Sequence, residues 1–200
     1  MATSRSLLLS TRNAHKVREF SRLLAPAEIA VIALPDEVTL PSEDGDTFAD
    51  NALPKARAAA HATGQTAIAD DSGIEAAALD GRPGVRSARY AGPNATDEEN
   101  LAKLIAEAPA GSPLRYVCAL AYVDPPAGIE HVFFGYCTGR LAERARGTRG
   151  FGYDPGFLPD GDYGGRTMAE LTDDEKDAIS HRAGAVANLL AWLPLTGASD

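Results

Sequence analysis

Two adjacent aspartates, Asp70 and Asp71, have the residue type and the position expected of a metal site. They follow a predicted short strand, Thr66 to Ala69, and precede Ser72-Gly73, so the sequence predicts an acidic turn at a strand end. Ligands of α/β proteins bind beyond the carboxyl ends of strands. Neighbouring carboxylates repel each other and favour a cation, and Mg²⁺ binds through one or two carboxylates plus substrate phosphates. A solvated turn without a metal is the alternative.

A second segment, Thr11-Arg12-Asn13-Ala14-His15-Lys16, could bind phosphate because it joins a predicted strand to a predicted helix. Such a turn exposes backbone N–H groups and the positive end of the helix dipole. Lys16 and Arg12 could add charge. The segment lacks the GxxxxGK[ST] pattern, so it is not a Walker loop. An ordinary N-capped turn is the alternative.

Two later segments could bind a nucleobase. Residues 150–155 read Gly-Phe-Gly-Tyr-Asp-Pro. The aromatic pair could stack on a base, and Asp154 could accept a hydrogen bond from a ring N–H. A packed loop is the alternative. Further along, Lys176, Ser180, His181 and Arg182 lie together on the last predicted helical segment, with Lys176 and Ser180 on one face. The alternatives are a salt-bridged surface helix for Lys176 and a helix C-terminal charge role for His181-Arg182.

The elements that must position these residues alternate between strand and helix, which favours an α/β fold. Strands are predicted at 6–10, 29–34 and 66–69, and strands 114–123 and 129–138 are predicted to form a hairpin. Helices are predicted at 17–24, at 47–63 with Gly64 closing it, and after capping boxes at Thr96 and Thr172. Pro54 predicts a kink or a late start in its helix. Residues 81–92 are predicted to form a loop.

Composition excludes several classes of function. A chain of 200 residues fits one domain or a compact two-lobed unit, and its net charge of −9 argues against a nucleic-acid binder. A nucleotide substrate remains possible because it needs only local cations or a bound metal. Cys118 and Cys137, the two cysteines, are expected to be buried free thiols. Since no signal peptide or membrane-length apolar run is present, we expect a soluble cytoplasmic protein that does not enter a membrane.

Taken together and in this order, these segments resemble the inosine/xanthosine triphosphate pyrophosphatases, which clear non-standard purine nucleotides. The resemblance covers residues 10 to 182. Arg12 stands where that family commonly has glycine, Pro54 interrupts the second helix, and Ala183 follows His181-Arg182 where glycine is usual. The matching segments are 10–16, 43–52, 69–73, 83–92, 150–155, 169–171, and Lys176 with Ser180-His181-Arg182.

The resemblance implies one domain over residues 1–200 with an elongated two-lobed α/β fold, a central mixed sheet flanked by helices, and a substrate cleft between the lobes. It also implies a homodimer and Mg²⁺ as cofactor. It assigns Asp71 and Glu43 to the metal and Asp71 to water activation, although Glu43 read alone looks like a helix-capping acid. The substrate contacts that it implies are Thr11, Arg12, Asn13, Ala14, His15, Lys16, Ser72, Phe151, Gly152, Tyr153, Asp154, Lys176, His181 and Arg182.

The implied reaction is hydrolysis of inosine, deoxyinosine and xanthosine triphosphates to the monophosphate and pyrophosphate. Phe151 or Tyr153 would stack on the purine, and His181, Arg182 and Asp154 are the candidates to read its 6-oxo edge. One alternative is a metal-dependent phosphatase that releases orthophosphate. Another is a non-catalytic nucleotide sensor, which would not need the carboxylates of Glu43, Asp70 and Asp71.

Overall fold

The computed structural model describes residues 5–196, with side chains described as far as residue 193. The strands are β1 Arg5–Leu9, β2 Ile29–Ala33, β3 Ala67–Ala76, β4 Pro113–Asp124, β5 Ile129–Leu141 and β6 Phe157–Pro159. The α-helices are α1 Ala14–Leu24, α2 Phe48–Thr63, α3 Asp97–Glu107, α4 Asp173–Asp177 and α5 His181–Thr196.

The strands form one mixed sheet in the order β2-β1-β3-β4-β5-β6. Strand β1 runs parallel to both β2 and β3, and β5 runs antiparallel to β6. The prediction of an α/β fold with a mixed sheet is therefore confirmed. Strands β4 and β5 are neighbours joined by residues 125–128, a connection too short for a parallel crossover, which confirms the predicted hairpin.

The chain divides into two compact units, each with its own apolar core. The first unit comprises the chain up to Asp71, Cys118–Gly135 and the chain from Arg182 onward. The second comprises Ser72–Val117 and Tyr136–His181. The core of the first includes Leu7, Leu9, Phe20, Ile68, Leu120 and Leu189, and that of the second includes Ile74, Leu104, Leu141, Phe157 and Met168. The single domain and the position of the substrate cleft stay predictions.

The helix ends follow the sequence signals closely. Thr47 caps α2 by accepting from the Asp50 N–H, and Gly64 ends this helix with φ 69°. The capping boxes at Thr96 and Thr172 are both present. Pro54 lies inside α2, which begins at Phe48, so of the two predicted effects the late start is excluded and the kink stays a prediction.

Other predicted features differ in the structure. The acidic segment Asp70–Gly73 is not a turn but the middle of β3, because this strand continues from Ala67 to Ala76. Residues Gly84–Arg89 form a 3₁₀ helix inside the predicted loop. Ser180 lies three residues beyond the end of α4, although its N–H still donates to the Lys176 carbonyl at 2.9 Å, and His181-Arg182 begins α5 rather than ending a helix.

Two expectations about the whole chain are partly answered. Cys118 and Cys137 are buried free thiols, as predicted, and burial raises the pKa of both. Across residues 5–196 we find no helix that combines the length and the apolar character needed to cross a bilayer.

Candidate active site

The pairing of β1 with β3 brings two of the predicted segments together. Leu8 lies opposite Ala67 and Leu9 opposite Ile68, and the Ser10 N–H donates to the Ile68 carbonyl at 2.8 Å. Because the two strands are parallel, the turn that follows β1 lies beside the next residues of β3. Those residues are Asp70 and Asp71.

Strand geometry separates the two aspartates. Successive side chains of a strand point to opposite faces of the sheet, so adjacent carboxylates in β3 do not converge on one cation. The two carboxylates accordingly have different partners. Asp70 pairs with cations from α1 and α5, whereas Asp71 accepts a hydrogen bond from α2.

Asp70 is the counter-ion of a buried cluster. It is 0% exposed, and one of its oxygens, Oδ2, lies 3.0 Å from Lys16 Nζ and 3.4 Å from Arg182 Nε. Arg182 also donates to Glu19 at 2.7 Å. Burial alone would raise the pKa of Asp70, but the charges of Lys16, Arg182 and Lys55 outweigh it and hold this pKa below its usual range. Asp70 is thus an anion that orders cations.

Asp71 lies in a different electrostatic environment. Asn51 Nδ2 donates to its Oδ2 at 3.0 Å, and the Asn51 amide is itself fixed by the Gly45 N–H at 2.8 Å. Burial raises the pKa of Asp71, and the nearby charge of Glu43 raises it further, while Lys55 and Asn51 partly oppose this. A carboxylate that is buried next to another carboxylate gains from a cation.

Lys55 connects Glu43 to strand β3 and was not among the predicted site residues. Its ammonium contacts Glu43 and donates to the Asp70 backbone carbonyl at 2.7 Å. A sequence signal for it existed. Asn51 and Lys55 are four residues apart and lie on the buried, alanine-rich face of α2, where polar side chains need a specific partner.

The residues present fit a magnesium ion. Glu43 and Asp71 supply hard oxygen donors, and their mutual repulsion would be relieved by a divalent cation. Within residues 5–196 no three His, Cys, Asp or Glu side chains cluster as a self-sufficient metal cage. Mg²⁺ does not require one, because it takes one or two carboxylates and completes its shell with substrate phosphates and water.

The turn between β1 and α1 is N-capped. The Asn13 Oδ1 accepts from the N–H groups of His15 at 2.9 Å and Lys16 at 3.3 Å. Arg12 is directed away from the turn, since its guanidinium donates to the carbonyls of Val38 at 2.9 Å and Asp36 at 3.1 Å. Of the two predicted phosphate-binding cations, the structure places only Lys16 next to the carboxylates of β3.

In the second unit, Asp154 forms hydrogen bonds with both of the predicted base-binding segments. Its Oδ2 accepts from Lys176 Nζ at 2.6 Å and from the Phe151 N–H at 3.0 Å, and its Oδ1 accepts from the Tyr116 hydroxyl at 3.1 Å. Asp154 and Lys176 are both buried. These partners give Asp154 a structural task that differs from the predicted contact with a base.

The two aromatic candidates for stacking have different surroundings. Tyr153 is buried, and its hydroxyl donates to the Ser87 carbonyl at 2.8 Å, so its ring is part of the core. Phe151 is half-buried, and Lys176 Nζ lies 5.3 Å from its ring centroid. Phe151 is therefore the better candidate. The loop needs glycine at 150, where φ is 73° and a Cβ would lie 2.0 Å from Asp154 Oδ2.

The remaining predicted substrate residues lie at the start of α5, in the loop at 150–155 and in β3. His181 stacks on Tyr116, with ring centroids 4.6 Å apart and planes 7° apart. Arg182 is buried and bound to Glu19 and Asp70, which are not the base contacts that the resemblance implies. Gly152 donates its N–H to Asp97 at 2.7 Å, and Ser72 is half-buried in β3. Their contacts with substrate stay predictions.

Comparison with known proteins gives a consistent result. A sequence model of the Ham1 family matches residues 7–192. The chain is similar to proteins named dITP/XTP pyrophosphatase, at 47% identity, from Cutibacterium acnes (90% of this chain, 92% of the relative) and Geobacillus kaustophilus (92% of each). Among solved structures it is similar to a HAM1 protein from Coxiella burnetii, with a TM-score of 0.83, 39% identity and coverage of 95% of this chain and 98% of that one.

Proposed function

Because the chain belongs to the Ham1 family, we propose that it hydrolyses triphosphates of non-standard purine nucleosides, ITP, dITP and XTP, to the monophosphate and pyrophosphate. Relatives that match over nine-tenths of the chain are named dITP/XTP pyrophosphatases. The observation that carries the proposal is Asp71, a carboxylate that is fixed by Asn51 and whose pKa is raised by burial and, to a lesser extent, by the charge of Glu43. A buried carboxylate held in one orientation supports hydrolysis over passive binding, because binding alone needs no group that accepts a proton from water.

Glu43 and Asp71 would hold the magnesium ion. Bound there, Mg²⁺ would supply positive charge that offsets the charge developing on the pyrophosphate leaving group. Lys55 contacts Glu43 and thereby fixes the orientation of that carboxylate. Because Asp70 is occupied by Lys16 and Arg182, it is proposed as a counter-ion and not as a ligand.

Asp71 would also orient the water that attacks the α-phosphorus and accept its proton. The bound cation would favour the ionised form of Asp71, which is the form that accepts a proton. Asn51 holds the carboxylate in one orientation through its hydrogen bond. Lys16 would stabilise the phosphate oxygens electrostatically, which is the main requirement of phosphoryl transfer besides positioning.

Base recognition is assigned to the second unit. Phe151 would stack on the purine, and His181 would donate to the 6-oxo group. Adenine carries an amino group there and would leave a buried donor unpaired, a mismatch that can cost a factor of about 10⁴ in specificity. Selectivity for oxo-purines would follow from that penalty.

The direct test is to incubate the protein with Mg²⁺ and, separately, ITP, XTP, GTP and ATP, and to measure both pyrophosphate and orthophosphate. We expect pyrophosphate and monophosphate from ITP and XTP, and little product from ATP. Orthophosphate as the only product would favour the alternative phosphatase, and tight binding without turnover would favour a nucleotide sensor. Asp71→Asn is the matched inactive control.

The remaining expectations from the resemblance are proposed with the function. We propose a homodimer, which light scattering on the purified protein tests directly. We also propose a cytoplasmic protein that does not bind nucleic acid, in keeping with the net charge of −9. An electrophoretic mobility assay with duplex DNA and RNA at low salt tests the second expectation.

A further inference from the structure

Tyr116 on β4 is buried against His181, which is proposed to read the base, and against Asp154, which holds the Phe151 loop. Its exposed fraction is 6%, its hydroxyl donates to Asp154 Oδ1 at 3.1 Å, and its ring stacks in parallel on the imidazole of His181 at 4.6 Å between centroids. No sequence motif marks Tyr116, since it lies in an apolar strand among core residues.

The hydroxyl of Tyr116 completes the set of donors around a buried carboxylate. Asp154 also accepts from Lys176 at 2.6 Å and from the Phe151 N–H at 3.0 Å. A buried charge must be matched by donors, so each of these contacts restrains the position of the others. Through Asp154, Tyr116 restrains both the backbone that carries the Phe151 ring and the ammonium of Lys176.

The ring of Tyr116 restrains a second group. With planes only 7° apart, the imidazole of His181 lies flat on the tyrosine ring, which fixes the plane of its N–H groups. A histidine that discriminates an oxo from an amino substituent must present its N–H in one direction, because hydrogen bonds weaken steeply with angle. One side chain therefore sets the geometry of both the stacking loop and the base-reading histidine.

We propose that Tyr116 is a positioning residue for base recognition, acting through Asp154 on the Phe151 loop and Lys176 and through its ring on His181. This inference rests on the proposed function, since it concerns how that substrate is selected. Tyr116 touches no reacting atom. Its loss should change the KM and the base preference of the enzyme and leave the chemical step intact.

The test is Tyr116→Phe, which keeps the ring stack and removes only the hydroxyl. We expect the KM for ITP to rise about tenfold and kcat to stay within about twofold, as for a lost hydrogen bond to a charged group. Because the stack on His181 is kept, the preference for ITP over ATP in kcat/KM should stay near the wild-type value in this variant, whereas Tyr116→Leu, which also removes the ring, should lower it. Tyr122→Phe is the matched control, because Tyr122 lies on the same strand, is buried, and has a hydroxyl 3.3 Å from Asp124. It should retain wild-type kinetics.

A double-mutant cycle tests whether the Tyr116 hydroxyl acts through Asp154. In an Asp154→Ala background, Tyr116→Phe should have little further effect on KM, because the acceptor of the Tyr116 hydroxyl is already gone. Independent effects would overturn the proposal. So would an unchanged KM in Tyr116→Phe, an unchanged base preference in Tyr116→Leu, or a loss of kcat that is equal for ITP and ATP, which would indicate a general structural role. If the wild-type protein releases no pyrophosphate from ITP, the proposed function has failed instead.

Discussion

Replacing Asp70 by asparagine should destabilise the folded protein, whereas the same replacement at Asp71 should not. The two residues are adjacent in β3, and both are buried. The change in volume and charge is identical at the two positions. Any difference in stability therefore reports the surroundings of each carboxylate, which makes each variant the control for the other.

The magnitude for Asp70 follows from its contacts. It is fully buried and lies 3.0 Å from Lys16 and 3.4 Å from Arg182, so its neutralisation leaves buried cations with less compensation. Breaking a buried ion pair from one side costs about 3–5 kcal/mol. Asparagine still offers an acceptor oxygen, and Arg182 keeps its contact with Glu19 at 2.7 Å, so we expect the lower end, about 3 kcal/mol.

For Asp71, replacement by asparagine is expected to maintain or raise the stability of the folded protein. Burial and the charge of Glu43 raise its pKa, so its ionised form is less favourable in the folded than in the unfolded chain. A group of this kind contributes stability below its unfolded pKa and loses that contribution as the pH rises through the folded pKa. At neutral pH the asparagine variant should be as stable as the wild type or more stable, and its advantage should shrink toward pH 4.

Urea denaturation in EDTA at pH 7 is the assay. With a slope of about 2 kcal/mol/M, the loss in Asp70→Asn should lower the midpoint by about 1.5 M. The reasoning is refuted if Asp70→Asn unfolds at the wild-type midpoint, or if Asp71→Asn loses as much stability as Asp70→Asn. Repeating the titration of Asp71→Asn and the wild type at lower pH tests the direction of the pKa shift separately.

Three other results are expected. Lys16→Ala should raise the KM for triphosphates about tenfold or more without changing the ratio of ITP to ATP turnover, and a changed ratio in steady-state kinetics would contradict its assignment to phosphate. Mg²⁺ at about 100 times its Kd should stabilise the wild type by about 2.7 kcal/mol. Glu43→Gln should gain much less stability from the same Mg²⁺ concentration in thermal unfolding. An equal gain would show that the ion binds elsewhere. Phe151→Leu should weaken ITP binding in calorimetry by about 1 kcal/mol, whereas Tyr153→Phe should lower stability and leave affinity unchanged, since only the former ring is proposed to stack.

The sequence by itself determined the elements and the identity of most candidate residues. Capping residues such as Thr47, Thr96 and Thr172 mark helix starts because they satisfy N–H groups within one turn, which is a local effect. The apolar runs marked the strands, and the spaced motifs led to the family. These signals depend on neighbours along the chain, so they can be read without the fold.

The tertiary structure alone decided which groups meet and which carboxylate faces which partner. The sequence predicted a turn at Asp70-Asp71, but β3 lies between β1 and β4 in the sheet and continues through both residues to Ala76. Strand alternation then sends the two side chains to opposite faces. The cluster of Asp70 with Arg182 joins residues more than a hundred positions apart, and the contact of Tyr116 with Asp154 joins different elements. Such long-range contacts arise from the packing of strands and helices, and local spacing carries no information about them.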